Sequence, residues 1–541
     1  MLIDLTTLQT ERIIIVSLGQ MNWLSRTFEA SMTVKRINLI LALLGLALFL
    51  AMAIHFINHA PDDIWISLRY AQHLAQGQGL TFNAAERVEG FSNFLWVMLL
   101  SIFVPFFSKA GMTLLAKLIG IAGGLMAGLA LARTAYKYPL AKGAENLWGL
   151  TVFAYGLNLF AAFWAASGME TGFYLLLIAG AVWMYSAFSA RRSLPTAIAS
   201  SLLFLGLALM RPEGIIFFLA AAISEIFIAW RERHKPERMV YLWLAMTLLF
   251  YGLFYLWRFS YFGQWLPNSF YAKALGGSKQ YGMGLRYLLL NLPALFWSNP
   301  VLMLLLILPF INWRGANQSV IFLGGCLLGQ LAFTWLAGGD WMEAGRFVVP
   351  VMPAVALLLP AAVCEARHRL GFQAPSLSRA ARYLLAVLIV GCIILHLYQS
   401  KQVRQDVSGW RSYEGAYFFK PDHFAVAQYL KQNARSDDLI ALGESGLIPY
   451  LTELPILDMF GLMDKYLARL PGVRNDKFDP DYVFQRQPKY IVLGGCRFWG
   501  AEVDCDFLYS RTLLADPRLK QNYDYVYNHH TFLVYRLKGA E

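Results

Sequence analysis

The chain has 541 residues, of which 57% are hydrophobic, 15% aromatic and only 15% charged, and its mean hydropathy is +0.47. An ordinary soluble domain carries about 25% charged residues, so a soluble globular protein is excluded. The formal charge of +12 does not mark a nucleic-acid binder, because Lys and Arg sit in short clusters between apolar runs, where the positive-inside bias places them.

Residues 1–31 match no span or domain pattern, and Met32 reads as an alternative start. A spanning helix needs roughly 20 mostly apolar residues. The first such run is Ile37 to Ile57, preceded by Lys35-Arg36, which puts the segment 1–36 in the cytoplasm. Further apolar runs lie near 91–108, 113–133, 147–165, 171–189, 194–210, 213–230, 239–257, 287–311, 318–337, 347–364 and 383–398. The clusters Arg133/Lys137/Lys142, Arg191-Arg192, Arg231 to Arg238, Arg314 and Arg367 to Arg382 belong on the cytoplasmic side. The loops around 165–170, 211–214, 258–286 and 338–346, and everything from 399 on, then fall outside. An internal start and an external end require an odd number of crossings. The run 91–108, which opens with Phe91-Ser92-Asn93 and is split by Pro105, is therefore expected to be re-entrant or interfacial. About 11 transmembrane helices remain.

The partition is thus a membrane domain over 37–398, with an external loop 58–112, and an extracytoplasmic α/β domain over 399–541. In the latter, charges return, β-like runs occur at Leu439 to Leu442, Tyr490 to Gly494 and Thr531 to Leu537, and His423 to Gln432 is helical in pattern. Cys326, Cys364 and Cys392 lie in or beside apolar runs at no ligand spacing. Cys496 and Cys505 are either a local disulfide in an oxidising compartment or two unpaired thiols.

The chemistry is expected in the external loops. Ile64, Leu68, Ala71 and Ala75 are spaced as one face of an amphipathic helix on the membrane surface, with Arg69, Gln72 and Gln76 on its wetter side. Asp62-Asp63 opens that helix. One acid serves as an N-cap, which leaves the other to deprotonate a hydroxyl or hold a cation. Asp340, in Gly338-Gly339-Asp340-Trp341, combines a flexible turn, an acid and an aromatic, the means of gripping a sugar ring. Glu170, Arg211 and Glu213 lie at external span ends, where Arg211 and Glu213 can simply pair; Arg258, Lys273 and Arg346 lie at external membrane edges. His55, His59 and His73 show no metal-ligand spacing with a carboxylate, and no Walker-type loop is present.

The segments Asp62-Asp63 through Arg69-Tyr70-Ala71, Gly77/Gly79/Asn83, and Glu86-Arg87-Val88-Glu89-Gly90-Phe91-Ser92-Asn93-Phe94-Leu95-Trp96 resemble the signature of C-type-fold glycosyltransferases. More narrowly, they resemble the branch around the terminal β-arabinofuranosyltransferase of mycobacterial cell walls. Later segments agree in order: Ser167 to Thr171, Arg211 to Gly214, Tyr261 to Lys273, Gly338 to Met342 with Arg346-Phe347, and Gly446 to Tyr450 with Asp458 and Gly461-Leu462. The resemblance spans about residues 37–465.

It implies a multi-pass bacterial inner-membrane enzyme with its C-terminal domain in the periplasm. Such an enzyme would move a sugar, a pentofuranose such as arabinofuranose, from a polyprenyl-phosphate donor to a cell-envelope glycan or glycoprotein with inversion. By the same resemblance Asp62 is the general base, and Asp63 caps the helix or positions the base. A divalent cation, were one required, would sit on this pair; no other cofactor and no nucleic-acid partner is implied. The donor phosphate falls to Arg69, Arg258, Lys273 and Arg346, and the substrate to Glu89, Asn93, Glu170, Arg211, Glu213, Asn268, Tyr271, Asp340 and Trp341. The competing readings are a flippase for lipid-linked sugars, which needs no acid pair, and a membrane-anchored carbohydrate-binding assembly protein.

Overall fold

The computed structural model describes residues 33–273, 277–295, 304–311, 315–342, 344–369, 420–472, 477–499 and 502–539, with Val390, Gly391, Ile394 and Tyr398. Residues 1–31, the basic stretch 370–382 and all but four positions of the run 383–398 lie outside them.

The first half of the chain runs α1 (Thr33–His55), α2 (Asp63–Ala75), α3 (Phe94–Ser101), α4 (Lys109–Lys137), α5 (Trp148–Gly156), α6 (Leu159–Ala166), α7 (Thr171–Arg191) and α8 (Leu194–Met210). It continues through α9 (Ile215–Arg231), α10 (Arg238–Phe262), α11 (Asn268–Lys273), α12 (Gly277–Leu295), α13 (Leu308–Ile311), α14 (Gln318–Leu336) and α15 (Met352–Arg369). Among the described residues, 7 helical stretches are long and apolar enough to cross a bilayer, or up to 8 if α5 and α6 form one broken span. These are α1, α4, α7, Pro212–Arg231, α10, α14 and Val349–Arg369.

The expected count of 11 is therefore not what the described helices supply. The run 147–165 is bent by 60°, because α5 ends at Gly156 and Asn158 caps a new helix, α6, its side chain accepting from the Ala161 amide at 2.8 Å. The run 194–210 forms a 17-residue helix, about 25 Å long at 1.5 Å per residue and shorter than a hydrocarbon core of about 30 Å. In the run 287–311, of which 296–303 lie outside the described residues, a turn at Leu306-Ile307 interrupts the helical backbone before the 4-residue α13. The run 91–108 gives the 8-residue α3 and a 3-10 turn at Val104–Phe106, too short to cross.

The spans pack through small residues, which let backbones approach where no hydrophobic drive separates helix from lipid. A Cβ on Gly156 would sit 2.0 Å from the Gly45 carbonyl oxygen, and one on Gly172 would sit 2.2 Å from that of Gly120. Neither position accepts a side chain.

The outer domain runs α16 (Pro421–Asn433), β1 (Ile440–Leu442), α17 (Leu447–Thr452), β2 (Ile456–Asp458), α18 (Pro480–Gln485), β3 (Tyr490–Leu493), β4 (Cys496–Trp499), β5 (Glu502–Cys505), α19 (Leu508–Ala515), α20 (Pro517–Asn522), β6 (Tyr523–His529) and β7 (Phe532–Leu537). Its five-stranded sheet has the order β2-β1-β3-β7-β6. β1 is parallel to β2 and β3, while β7 is antiparallel to β3 and β6. The β-like runs read from sequence fall on β1, β3 and β7, and the helical run on α16. Cys496 and Cys505 face each other across the β4–β5 hairpin and are disulfide-bonded.

The surface helix α2 departs from its expected amphipathicity. Arg69 and Gln72, read as its wet side, are buried. The reason is tertiary: the outer domain lies on that face. Helix α17 is held against α2 and α4 at both ends by charges that match its dipole. At its N-terminus the Asp62 carboxylate accepts from the amides of Gly446 at 2.7 Å and Leu447 at 3.1 Å, two donors that a helix start leaves without partners. Toward its C-terminal end Arg69 donates to the Pro449 and Leu454 carbonyls, and Lys109 donates to those of Tyr450 and Leu451. The Asn83 side chain pairs with both backbone groups of Ile456, as a strand neighbour would.

Candidate active site

Below the docked domain, a half-open cleft of about 50 Å³ is lined by Asp63, Ile66, Ser67, Gly90 to Asn93, Met169, Glu170, Arg211, Ser269, Lys273, Arg346 and Leu462. It is assembled from α2, the loop before α3, the turn before α7, the turn after α8, α11, the loop after α14 and the outer-domain loop after β2.

Helix geometry divides the acid pair. Successive residues on an α-helix point about 100° apart, so Asp62 and Asp63 cannot face the same way. Asp63, Ile66 and Ser67, spaced i, i+3 and i+4 on one face of α2, line the cleft. Asp62 points into the outer domain. Beyond its two amide donors it lies 3.9 Å from His423 Nε2, which is 3.3 Å from Glu444. Asp62 makes no side-chain cap of α2, so the N-cap expected of one acid is realised on α17 instead.

The cations sort in the same way. Lys273 Nζ lies 3.8 Å from Asp63 Oδ2, both side chains partly open to solvent. Arg346 Nε lies 2.6 Å from Asp340 Oδ2, both side chains buried, with the guanidinium carbon 5.7 Å from the Trp164 ring centre. Arg69 and Arg258, expected on the donor phosphate, are not in the cleft. Arg69 is spent on the backbone carbonyls of Phe82, Pro449 and Leu454. Arg258 is paired with both oxygens of Glu89 and with the Trp265 carbonyl. Glu89, expected at the substrate, is the buried counterion of that pair, and burial pushes its carboxyl up against the opposing pull of Arg258.

Of the other expected substrate residues, Asn93, Glu170 and Arg211 line the cleft. Asn93 Nδ2 donates to Glu170 Oε2 at 2.9 Å and to Ser67 at 3.0 Å. Arg211 bridges Glu170 and Glu213, all three buried, so the Arg211–Glu213 pairing read from sequence is present and extended by a second acid. Asn268 is drawn away, donating to the carbonyls of Gly461 and Leu462. Tyr271 meets the outer domain through Lys477 and Arg469, and the Trp341 side chain is 44% exposed.

Ser67 and Ser269 line the cleft and were not singled out from the sequence. Ser67 was legible as the i+4 neighbour of Asp63, and Ser269 as the i−4 neighbour of Lys273. His423 and Glu444 carried no signal. Burial works against the charge on Glu444, yet His423 and Lys420 together hold its carboxyl down at about 2. Burial lifts Asp458 to about 6 despite the amides of Met463 and Phe460.

The Asp62/Asp63 pair does not fit a shared divalent cation. The two carboxylates diverge, Asp62 is satisfied by two amides, and Asp63 already faces an ammonium.

The Asp62 seat predicts a sharp glycine requirement. A Cβ on Gly446 would lie 2.3 Å from Asp62 Oδ2 and 2.1 Å from its backbone oxygen. Gly446→Ala should destabilise the docked domain by about 1–3 kcal/mol, the usual cost of overpacking. A fall in apparent melting temperature in detergent, with faster proteolysis between the domains, is the expected readout.

A family model described as a domain of unknown function (DUF8728) matches residues 408–537. No curated protein matches the chain. Among solved structures, ArnT from Cupriavidus metallidurans bound to undecaprenyl phosphate aligns over 93% of this chain and 98% of its own, at 12% identity and a TM-score of 0.59. The apo state of that protein covers 90% and 97%, at 14% identity and a TM-score of 0.56. The Archaeoglobus fulgidus oligosaccharyltransferase in complex with Zn and sulfate covers 85% of this chain and 68% of its own, at 12% identity and a TM-score of 0.52. At these identities the likeness is one of fold, and it is the C-type glycosyltransferase fold that the motifs imply: a polytopic helical membrane domain carrying a small C-terminal sheet domain.

Proposed function

We propose that the chain is a membrane glycosyltransferase that moves a sugar from a polyprenyl-phosphate carrier to a hydroxyl acceptor with inversion, with Asp63 as its general base. The observation that carries this reading is the cleft itself, where a carboxylate (Asp63) and two cations (Lys273, Arg346) meet at the junction of the membrane and outer domains. The acceptor O–H gives its proton to Asp63, its oxygen bonds to the anomeric carbon, and the bond from that carbon to the phosphate oxygen breaks. The charge left on polyprenyl phosphate is met by Lys273 and Arg346.

Placing the base on Asp63 rather than Asp62, as the motif resemblance implies, follows from side-chain direction. The Asp62 carboxylate is turned toward two backbone amides of the outer domain and does not line the cleft. The donor sugar, from the same resemblance, is a pentofuranose such as arabinofuranose, and the acceptor a cell-envelope glycan or glycoprotein. The cleft faces the outside of the bacterial cytoplasmic membrane, where nucleotide sugars are absent and a lipid carrier is required.

The test is purified chain in detergent with a polyprenyl-phosphoryl pentose and an oligosaccharide acceptor. Release of polyprenyl phosphate matched by lengthened acceptor, with the opposite anomeric configuration, is the expected result. If the chain transfers no sugar yet moves the lipid across a vesicle bilayer, the flippase reading takes its place.

A further inference from the structure

A second cluster of chemistry-bearing side chains lies on the outer domain, away from the cleft. Asp422 sits in the first turn of α16, and His529 and His530 sit at the turn between β6 and β7. One ligand atom from each lies within 4.8 Å of the others. His529 Nε2 is 3.5 Å and His530 Nε2 3.9 Å from the same oxygen of Asp422, and the two imidazole centres are 4.6 Å apart. His530 takes the left-handed backbone with φ of 46°, at a hairpin position that usually goes to Gly or Asn.

We propose that Asp422, His529 and His530 bind a zinc-like divalent ion, with a fourth position open to solvent. Two imidazoles and a carboxylate are the ligand types that zinc accepts, whereas calcium and magnesium require mostly oxygen. Tetrahedral bonds of about 2.0–2.1 Å set neighbouring ligand atoms about 3.3 Å apart. The observed 3.5 and 3.9 Å close to that with a small turn of each ring. The side chains are accessible, with exposures of 39% for Asp422, 34% for His529 and 69% for His530. Among the described residues, no other group of His, Cys, Asp and Glu comes together in this way.

A bound ion would tie the β6–β7 hairpin to the start of α16. The next residue there, His423, packs on Phe532 and approaches Asp62. The ion would therefore brace the helix start that approaches Asp62, without entering the cleft.

The experiment uses the full chain, purified in detergent through a histidine-free tag, stripped with chelator and titrated with Zn²⁺ alone, then with Co²⁺ as a spectroscopic probe. One equivalent of Zn²⁺, and the visible absorption of four-coordinate Co²⁺, are expected. The His529→Ala/His530→Ala variant should bind at least about tenfold more weakly, since loss of a mere supporting contact already costs about 10–100-fold. Asp422→Asn, which keeps the side chain's shape, should show the same loss. His234→Ala, which removes an exposed histidine paired with Glu232, should bind as the parent does. Failure of the parent to bind one equivalent, or full affinity in either the double-histidine or the Asp422→Asn variant, overturns the site. Neither result bears on glycosyl transfer, which the proposal does not use.

Discussion

Replacing Asp63 with Asn should lower sugar transfer by two or more orders of magnitude while the protein stays inserted and folded. Asn keeps the shape and polarity of the side chain but cannot take a proton, and general base catalysis is typically worth about 10²–10⁴-fold. The folded state should tolerate the change, because Asp63 is partly exposed and the ammonium of Lys273 is 3.8 Å away and itself partly exposed. Asp62→Asn is the informative companion. An amide presents one oxygen where the carboxylate uses two, so one of the Gly446 and Leu447 amides loses its acceptor. Its effect should therefore appear first in thermal stability and domain docking. Turnover measured on purified variants at matched melting behaviour separates the two acids. Near-normal transfer by Asp63→Asn, with collapse of transfer in a well-folded Asp62→Asn, would return the base to Asp62.

The second large effect is expected at Arg211. Its guanidinium holds Glu170 on one side and Glu213 on the other, with relative exposures of 7%, 2% and 6%. Removing one member of a buried ion cluster leaves uncompensated charge, at a cost of about 3–5 kcal/mol. Arg211→Ala should thus lower the apparent melting temperature clearly and reduce yield from the membrane. Making the cluster neutral, with Arg211→Met combined with Glu170→Gln and Glu213→Gln, should recover much of that stability, since a buried ion network exchanged for uncharged groups is often tolerated. Transfer should stay low in the triple variant, because Glu170 and Arg211 line the cleft. Full transfer in it would reduce the cluster to a structural brace.

The dense motif between residues 62 and 93 holds more docking than chemistry. Arg69 and Asn83 stitch this segment to the outer domain, Tyr70 tethers the Val88 carbonyl, and Glu89 neutralises Arg258. A charged residue beside a membrane edge reads from sequence as a phosphate ligand, and the structure assigns Arg69 and Arg258 to buried partners away from the cleft. Asp63, Asn93, Glu170, Arg211, Lys273 and Arg346 remain in the cleft.

What the sequence by itself determined was local. Apolar runs of membrane length, charge returning near the C-terminus, three of the outer strands and the placing of an acid pair at the start of a helix all depend on residues within a turn or a strand of one another. Hydrophobic period and turn chemistry report on that scale. The tertiary structure alone decided which acid faces the cleft, because the competing seat for Asp62 is an amide pair 384 and 385 residues away. It also decided that Arg69 is buried rather than wet. Each is a choice between satisfying a polar group in solvent and satisfying it on a distant backbone. Docking the outer domain removes the solvent, and a buried donor or carboxylate left without a partner costs more than a surface contact gains.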